Sequence, residues 1–270
     1  MTTPTAQPLS AAGFDASLFQ HLYEAEDKHF WFRSRNRLIG ALVRQLTKNF
    51  QSDSRVLEVG CGNGNVLRVL EKNVKRGEVA GIEPFAEAVT LARGRVSCKV
   101  IQGDVRALPF SAEFDLVCMF DVLEHIANDE ESLGKIIELL KPNGILLLTV
   151  PAHKSLWSYF DDISHHYRRY EKNGLKSLLE QKGLAVEYLT FFQSLTYPLV
   201  WLGRRMTSLT QNQSVLTEEK KYQLALRELK VTPIINEILY ALLSFETNAI
   251  KYRWQLPLGT SLLAVARKIN

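Results

Sequence analysis

The sequence predicts an α/β protein built on a mainly parallel sheet with helices on both faces. Three observations carry that expectation. From Arg55 onward, short apolar runs alternate with helix-like stretches. The first run empties directly into a glycine-rich loop, Gly60-Cys-Gly62-Asn-Gly64. The runs that follow end at acidic residues, Glu83, Asp104 and Asp121.

Met1–Ala12 is polar and proline-containing and reads as a disordered tail. Residues 13–50 are helical in pattern and read as an N-terminal lid. They carry the cluster His29-Phe-Trp-Phe32, followed by Arg33, Arg35 and Arg37. Strands are expected at Arg55–Val59, Val79–Ile82, Cys98–Ile101, Phe114–Phe120 and Gly144–Val150, with helices near Val66–Asn73, Phe85–Arg93 and Glu130–Leu140 between them. Lys141-Pro-Asn-Gly144 reads as a stop and turn ahead of the fifth strand. A helix over Glu171–Lys182 and a strand near Ala185–Phe192 follow. Ser194–Gln255 is mostly helical and amphipathic with a polar break at Ser208–Ser214, and Gly259–Ala266 reads as a final strand. The expected layout is a core over 51–193 and 257–270, with 194–256 inserted as a helical cap.

Composition narrows the class. A hydrophobic share of 46% and a charged share of 23% suit a globular protein that can bury a core and leave a cleft. A net charge of +4 gives no electrostatic footprint for nucleic acid. Cys61, Cys98 and Cys118 are odd in number and form no Cys-x-x-Cys pair. Reduced thiols in a cytoplasmic protein are therefore expected, without a disulfide framework or zinc site. The start lacks a basic stretch followed by an apolar run, so no signal peptide is expected. No stretch has the uninterrupted apolar length of a transmembrane helix.

Glycines at alternate positions allow backbone angles that a side chain forbids and let a ligand approach the main chain. The helix that follows points its first N–H groups at that ligand. A pyrophosphate loop uses the spacing Gly-x-Gly-x-x-Gly. Here the sixth position is Asn65, which favours the methionine and ribose of S-adenosylmethionine. Alone, the loop is equally a tight strand-to-helix turn. Glu83, 23 residues after Gly60, places a carboxylate where it can accept both ribose hydroxyls. Asp104 lies where a side chain can take the adenine amino group. Asp121 opens the stretch after strand four. All lie at strand C-termini, the ligand-binding edge of an open α/β sheet, although an acid at such a position also serves as a plain helix cap.

The set Val56-Leu-Glu-Val-Gly-Cys-Gly-Asn-Gly64, Gly81-Ile-Glu-Pro84, Gly103-Asp104, Phe114-Asp-Leu-Val117 and Asp121-Val-Leu-Glu-His-Ile126 closely resembles class I S-adenosylmethionine-dependent methyltransferases of the ubiquinone/menaquinone-methyltransferase-like type. Lys141-Pro-Asn-Gly144 matches the turn before their fifth strand. The resemblance covers about residues 30 to 193 and the terminal strand. It implies a Rossmann-like seven-stranded sheet whose last strand is antiparallel. It also implies that Glu83 holds the ribose, Asp104 the adenine and Gly60 to Gly64 the methionine portion, with Phe120 and Asp121 lining the cleft. Glu58, Cys61, Pro84 and Val105 complete that cofactor set.

Transfer from a sulfonium needs an acceptor that is positioned and, where required, deprotonated. Two segments are candidates for this work. In His29-Phe-Trp-Phe-Arg33, Trp31 and Arg33 would lid the cofactor, an aromatic face attracting the sulfonium; equally, the aromatics pack a helix onto the sheet. In Asp161-Asp162-Ile-Ser-His-His166-Tyr-Arg-Arg-Tyr170, similar enzymes carry Asp…Gly-His-x-Arg-Arg-Tyr, with His165 standing here for the glycine. His166 is the candidate base, with Asp161 or Asp162 orienting it. Trp157, Asp162, Tyr167, Arg168 and Tyr170 are candidate acceptor contacts. The alternative is that His166 and Tyr170 lock the loop by hydrogen bonds while the arginines pair with surface acids, which is the favoured reading for the arginines. His125 would touch the cofactor or cap its helix. Glu124, His125, His153, His165 and His166 show no metal-ligand spacing, and no metal is expected.

The sequence thus predicts methyl transfer to an oxygen or nitrogen of a small-molecule acceptor, a specialised metabolite, modified peptide or lipid-linked sugar, leaving S-adenosylhomocysteine. Nucleic-acid or protein methylation ranks second, since no Asn/Asp-Pro-Pro-Tyr/Phe or Pro-Cys signature is present. An NAD-dependent oxidoreductase and a silent binding module rank lower. In the cap, Leu199–Arg205 and Ile234–Phe245 read as a lid over the acceptor, with peripheral membrane contact and a homodimer contact as alternatives to a free-standing monomer.

Overall fold

In the computed structural model, which describes residues 16–107, 111–210 and 217–269, each apolar run becomes a strand. The strands are β1 (Arg55–Val59), β2 (Glu78–Glu83), β3 (Lys99–Gln102), β4 (Phe114–Phe120), β5 (Leu140–Pro151), β6 (Leu184–Phe192) and β7 (Ser261–Lys268). They form one sheet in the order β3-β2-β1-β4-β5-β7-β6. All neighbours from β3 to β5 are parallel, and β7 alone runs against both β5 and β6. The seven-stranded sheet with an antiparallel last strand is the one the sequence predicts.

The strands are apolar on both faces because both faces are covered. Along β4, Val117 and Met119 join one buried cluster while Leu116, Cys118 and Phe120 join the other. The first cluster is closed by α5 (Asp129–Glu138) and α7 (Lys172–Gln181), through Leu133, Ile136, Leu175 and Leu179. The second is closed by α2 (Phe30–Leu46), α3 (Asn65–Asn73) and α4 (Ala86–Arg95), through Ile39, Leu42, Leu67, Leu70 and Val89. Truncating one such fully buried leucine to alanine would cost about 2–5 kcal/mol. The remaining helices are α1 (Ala16–Ala25), α6 (Tyr159–Ile163), α8 (Tyr197–Thr210), α9 (Glu218–Glu228) and α10 (Pro233–Lys251).

Two expectations are revised. Lys141-Pro-Asn-Gly144 lies inside β5 as a bulge and is not a turn ahead of it. Leu140 pairs with Phe114 and the ladder resumes only at Ile145 opposite Leu116, with Asn143 at φ 63° absorbing the slack. The 194–256 segment also divides. Residues of α8 and the end of α9 face the central cavity, whereas α10 packs along α2 and sends Ile250 into the core. The expected tail at 1–12 and most of the break at 208–214 lie outside the described residues.

Strand order reverses between β1 and β4, because β2 follows β1 on one side and β4 lies on the other. An open sheet binds its ligand in the crevice at such a switch point, outside the strand C-termini. Gly60 and Asp121 stand there.

Candidate active site

Gly60, Gly62 and Gly64 all adopt left-handed backbone, at φ 68°, 49° and 76°. A Cβ on Gly60 would sit 2.6 Å from Val122 Cγ2, whereas one on Gly62 would meet nothing within 4 Å. Gly60 is thus fixed by packing, and Gly62 is left open toward the cavity it lines. Gly60 N donates to Ile82 O at 2.8 Å, and Gly64 N to Cys61 O at 2.9 Å.

Glu83 closes β2 and is buried. Its Oε2 accepts from Gly62 N at 2.9 Å and its Oε1 from Phe85 N at 3.2 Å. Burial pushes its carboxyl up to about 7, against the lowering effect of those two N–H groups. Glu58 lies buried beneath the loop, and its Oε2 has no hydrogen-bond partner. Its carboxyl is held well above the usual range by burial. Asp104 binds its neighbour Arg106 side chain to side chain, with Arg106 Nε 2.9 Å from Oδ1. Burial would raise it, but Arg106 wins and holds it below the usual range.

Asp121 sits at φ 56°, its Oδ2 2.6 Å from Arg35 Nη1 and its Oδ1 accepting from Thr149 Oγ1 at 3.1 Å. Arg35 is the cation that α2 brings to the cavity. Arg33 turns away, pairing with Glu237 and lying 4.0 Å from the Tyr240 ring centroid on α10. Trp31 lies in the cavity wall with the Arg35 guanidinium 4.7 Å over its ring. Above the loop, α1 is tied down by Arg95, whose Nη2 donates to Tyr23 O at 2.9 Å and whose Nη1 meets Glu26 Oε2 at 2.5 Å.

A cavity of about 760 Å³ joins these groups to the loop after β5. It is lined by Glu58, Gly60, Cys61, Gly62, Glu83, Pro84, Asp104, Val105, Phe120, Asp121, His125 and Trp31 of the expected cofactor set. Gly64 and Arg33 lie outside the lining. Of the acceptor set, His166 and Tyr167 line it, while Asp161, Asp162, Trp157, Arg168 and Tyr170 do not.

The reasons are local. Asp161 is fully buried and receives His166 Nδ1 at 2.9 Å, Arg169 Nε at 2.7 Å and Ser158 N at 2.9 Å. Burial alone would raise its carboxyl, but His166 and Arg169 bring it down to about 2. Tyr170 donates its hydroxyl to Asp129 Oδ2 at 2.8 Å, and Arg168 grips the same aspartate. They lock the loop onto α5, and the acid that Arg168 pairs with is buried, not a surface one. Asp162 accepts from Trp157 Nε1 at 2.9 Å and meets Lys221 Nζ of α9 at 3.3 Å. His165 takes φ 53°, the left-handed backbone for which the resembling enzymes use glycine.

Beside His166 stand His125, with ring centroids 4.6 Å apart, and Glu124. Burial pushes the His125 imidazole down to about 3. Sequence spacing does not reveal this grouping, because residues 124–125 and 166 meet only through the fold. Nor does it reveal Tyr159, Arg204 and Glu228, which line the cavity together: Tyr159 donates to Glu228, and Arg204 Nη1 meets the same carboxylate at 2.9 Å.

A glycine loop and a strand-end carboxylate face one cavity at the switch point, the place where open α/β sheets bind ligands. The chain belongs to the methyltransferase domain family, whose model matches residues 29–189, more than half of the chain. It is 29% identical over 164 residues to a malonyl-[acyl-carrier protein] O-methyltransferase of Enterobacter lignolyticus, covering 58% of this chain and 63% of that protein. It is 31% identical over 160 residues to a mitochondrial ubiquinone biosynthesis O-methyltransferase of Mus musculus, covering 50% and 42%. The matched segment spans less than two thirds of these relatives. In fold it is similar to phosphoethanolamine N-methyltransferase 2 of Haemonchus contortus, solved with S-adenosyl-L-methionine, at TM-score 0.53 and 17% identity over 86% of this chain and 52% of that one.

Proposed function

We propose that this chain transfers a methyl group from S-adenosylmethionine to an oxygen or nitrogen of a small-molecule acceptor. One observation carries the reading. The buried Glu83 carboxylate has one N–H on each oxygen, and each oxygen keeps lone pairs for the two hydroxyls of a ribose. Gly60 to Gly62 line the cavity, with open space beside Gly62 for the methionine end, and Asp104 stands at the third strand end for the adenine. His166 lines the same cavity as these groups, and the reading sets the donor's methyl toward it.

The donor's positive sulfur already activates the methyl, so the protein's task is placement and proton removal. Asp161 fixes Nδ1 of His166, which leaves Nε2 as the acceptor's proton acceptor. In the reaction an acceptor oxygen or nitrogen forms its bond to the methyl carbon as the sulfur–methyl bond breaks, and Nε2 takes the acceptor's proton.

Calorimetry with S-adenosylmethionine and with NAD tests the reading. The expected result is binding of the first alone; failure of S-adenosylmethionine to bind the folded protein overturns it. His166→Ala is expected to abolish turnover and leave donor affinity unchanged, and full turnover in that variant would retire the base.

A further inference from the structure

We propose that Glu124, His125 and His166 bind one divalent first-row transition-metal ion at the acceptor end of the cavity. One ligating atom from each side chain lies within 4.8 Å of the other two, and all three residues line the cavity. Glu124 is fully buried, and neither of its carboxylate oxygens has a hydrogen-bond partner. A buried carboxyl without a donor is unfavourable, and a cation supplies what it lacks. Arg169, whose charge acts on Glu124, is already taken by Asp161 and by Ala152 O.

The two imidazoles are held as metal-bound imidazoles are held. His166 is anchored through Nδ1 by Asp161 at 2.9 Å, and His125 is anchored by the Ser164 backbone. Such outer partners fix the tautomer and aim the second ring nitrogen. Asp161 is itself fixed by Arg169 and Ser158, so the frame is rigid before an ion arrives. The rings stand 82° apart. Two imidazoles and one carboxylate suit Zn²⁺, Mn²⁺ or Fe²⁺ better than Ca²⁺ or Mg²⁺, which favour all-oxygen sites.

Three protein ligands leave positions open for an acceptor oxygen. Coordination there lets the O–H proton leave to solvent, and the oxygen then takes the methyl as the sulfur–methyl bond breaks. The ion would thus do the work assigned above to His166 Nε2. The inference deepens the proposed function, and metal binding and donor binding are read separately.

Chelator-treated protein is titrated with Co²⁺, followed by its visible absorption and by calorimetry, and separately with S-adenosylhomocysteine. One equivalent of Co²⁺ with a protein-ligated spectrum is expected. Glu124→Gln and His166→Asn should weaken Co²⁺ at least tenfold while S-adenosylhomocysteine stays within about twofold. Absence of stoichiometric Co²⁺ binding by the wild-type protein overturns the inference. So does wild-type Co²⁺ affinity in both variants, or a spectrum of hexaaqua type. Stoichiometric Co²⁺ binding without S-adenosylhomocysteine binding would support the metal site and sink the methyl-transfer reading alone.

Discussion

Glu83 combines its proposed site role with an energetic cost. Its folded pKa of about 7 lies above its ordinary 4.5, so the folded chain holds this proton more tightly than the unfolded one. Its contribution to stability is full below pH 4.5 and is lost as pH rises through 7. The gap corresponds to about 3 kcal/mol at most. Glu83→Gln stays neutral, and urea unfolding between pH 5 and 8 should show a shallower decline than the wild type. The same residue should link donor binding to pH. Ribose hydroxyls favour the ionised carboxylate, so binding near pH 6.5 is expected to release a proton. Calorimetry in buffers of different ionisation enthalpy measures this, and a buffer-independent heat would refute it. Donor affinity in Glu83→Ala should fall by about 1–3 kcal/mol. Glu83 was legible in the sequence because a strand end fixes its place. Arg35 was not singled out over Arg33: only the orientation of α2 decides which arginine faces Asp121, and Arg33 belongs instead to Glu237.

At the scale of elements, the glycine loop separates packing from ligand access. Gly60→Ala combines a left-handed backbone with a contact at 2.6 Å to Val122, so it should lower thermal stability clearly. Gly62→Ala meets no neighbour and bears only the backbone cost of about 1–2 kcal/mol. Its methyl projects toward the cavity, so donor affinity should drop more than stability does. Equal donor affinity in Gly62→Ala and the wild type would refute that placement. The Arg35–Asp121 pair ties α2 to the end of β4, with Arg35 only 8% exposed. Arg35→Ala leaves a carboxylate unpaired and should cost about 3 kcal/mol, read by denaturant unfolding. The strands were legible because two-sided burial writes itself as continuous apolar runs. The bulge at Lys141–Gly144 was not, since Pro-Asn-Gly marks a change of backbone direction without saying whether pairing stops.

Across the whole molecule, the sheet supplies the glycine-loop end of the cavity and later segments close the His166 end. The residues of the first end could be located from local motifs, each sitting beside its own strand. The other end depends on contacts between segments far apart in sequence. Tyr159 of α6, Arg204 of α8 and Glu228 of α9 meet over the cavity, with the Arg204 guanidinium 5.1 Å from the Tyr159 ring centroid. No periodicity or motif marks these three as neighbours. Lys221 and Asp162 add a second tie between α9 and the loop that carries His166. The Glu228 side chain is 40% exposed, so its pairing should contribute only about 0–1 kcal/mol to global stability. Its effect should be local instead. In Glu228→Ala, α8 and α9 lose their shared anchor while the glycine loop and Glu83 keep theirs. Amide exchange should therefore quicken over residues 197–210 and 217–229 and stay unchanged over 55–64 and 78–85, with the unfolding midpoint nearly constant. Donor affinity should hold within about twofold, because Glu83 is held by Gly62 N and Phe85 N and not by this cluster. Unchanged exchange in α8 and α9 would show that other packing holds the cap, and a matching loss of donor affinity would show that the two ends of the cavity are not independent.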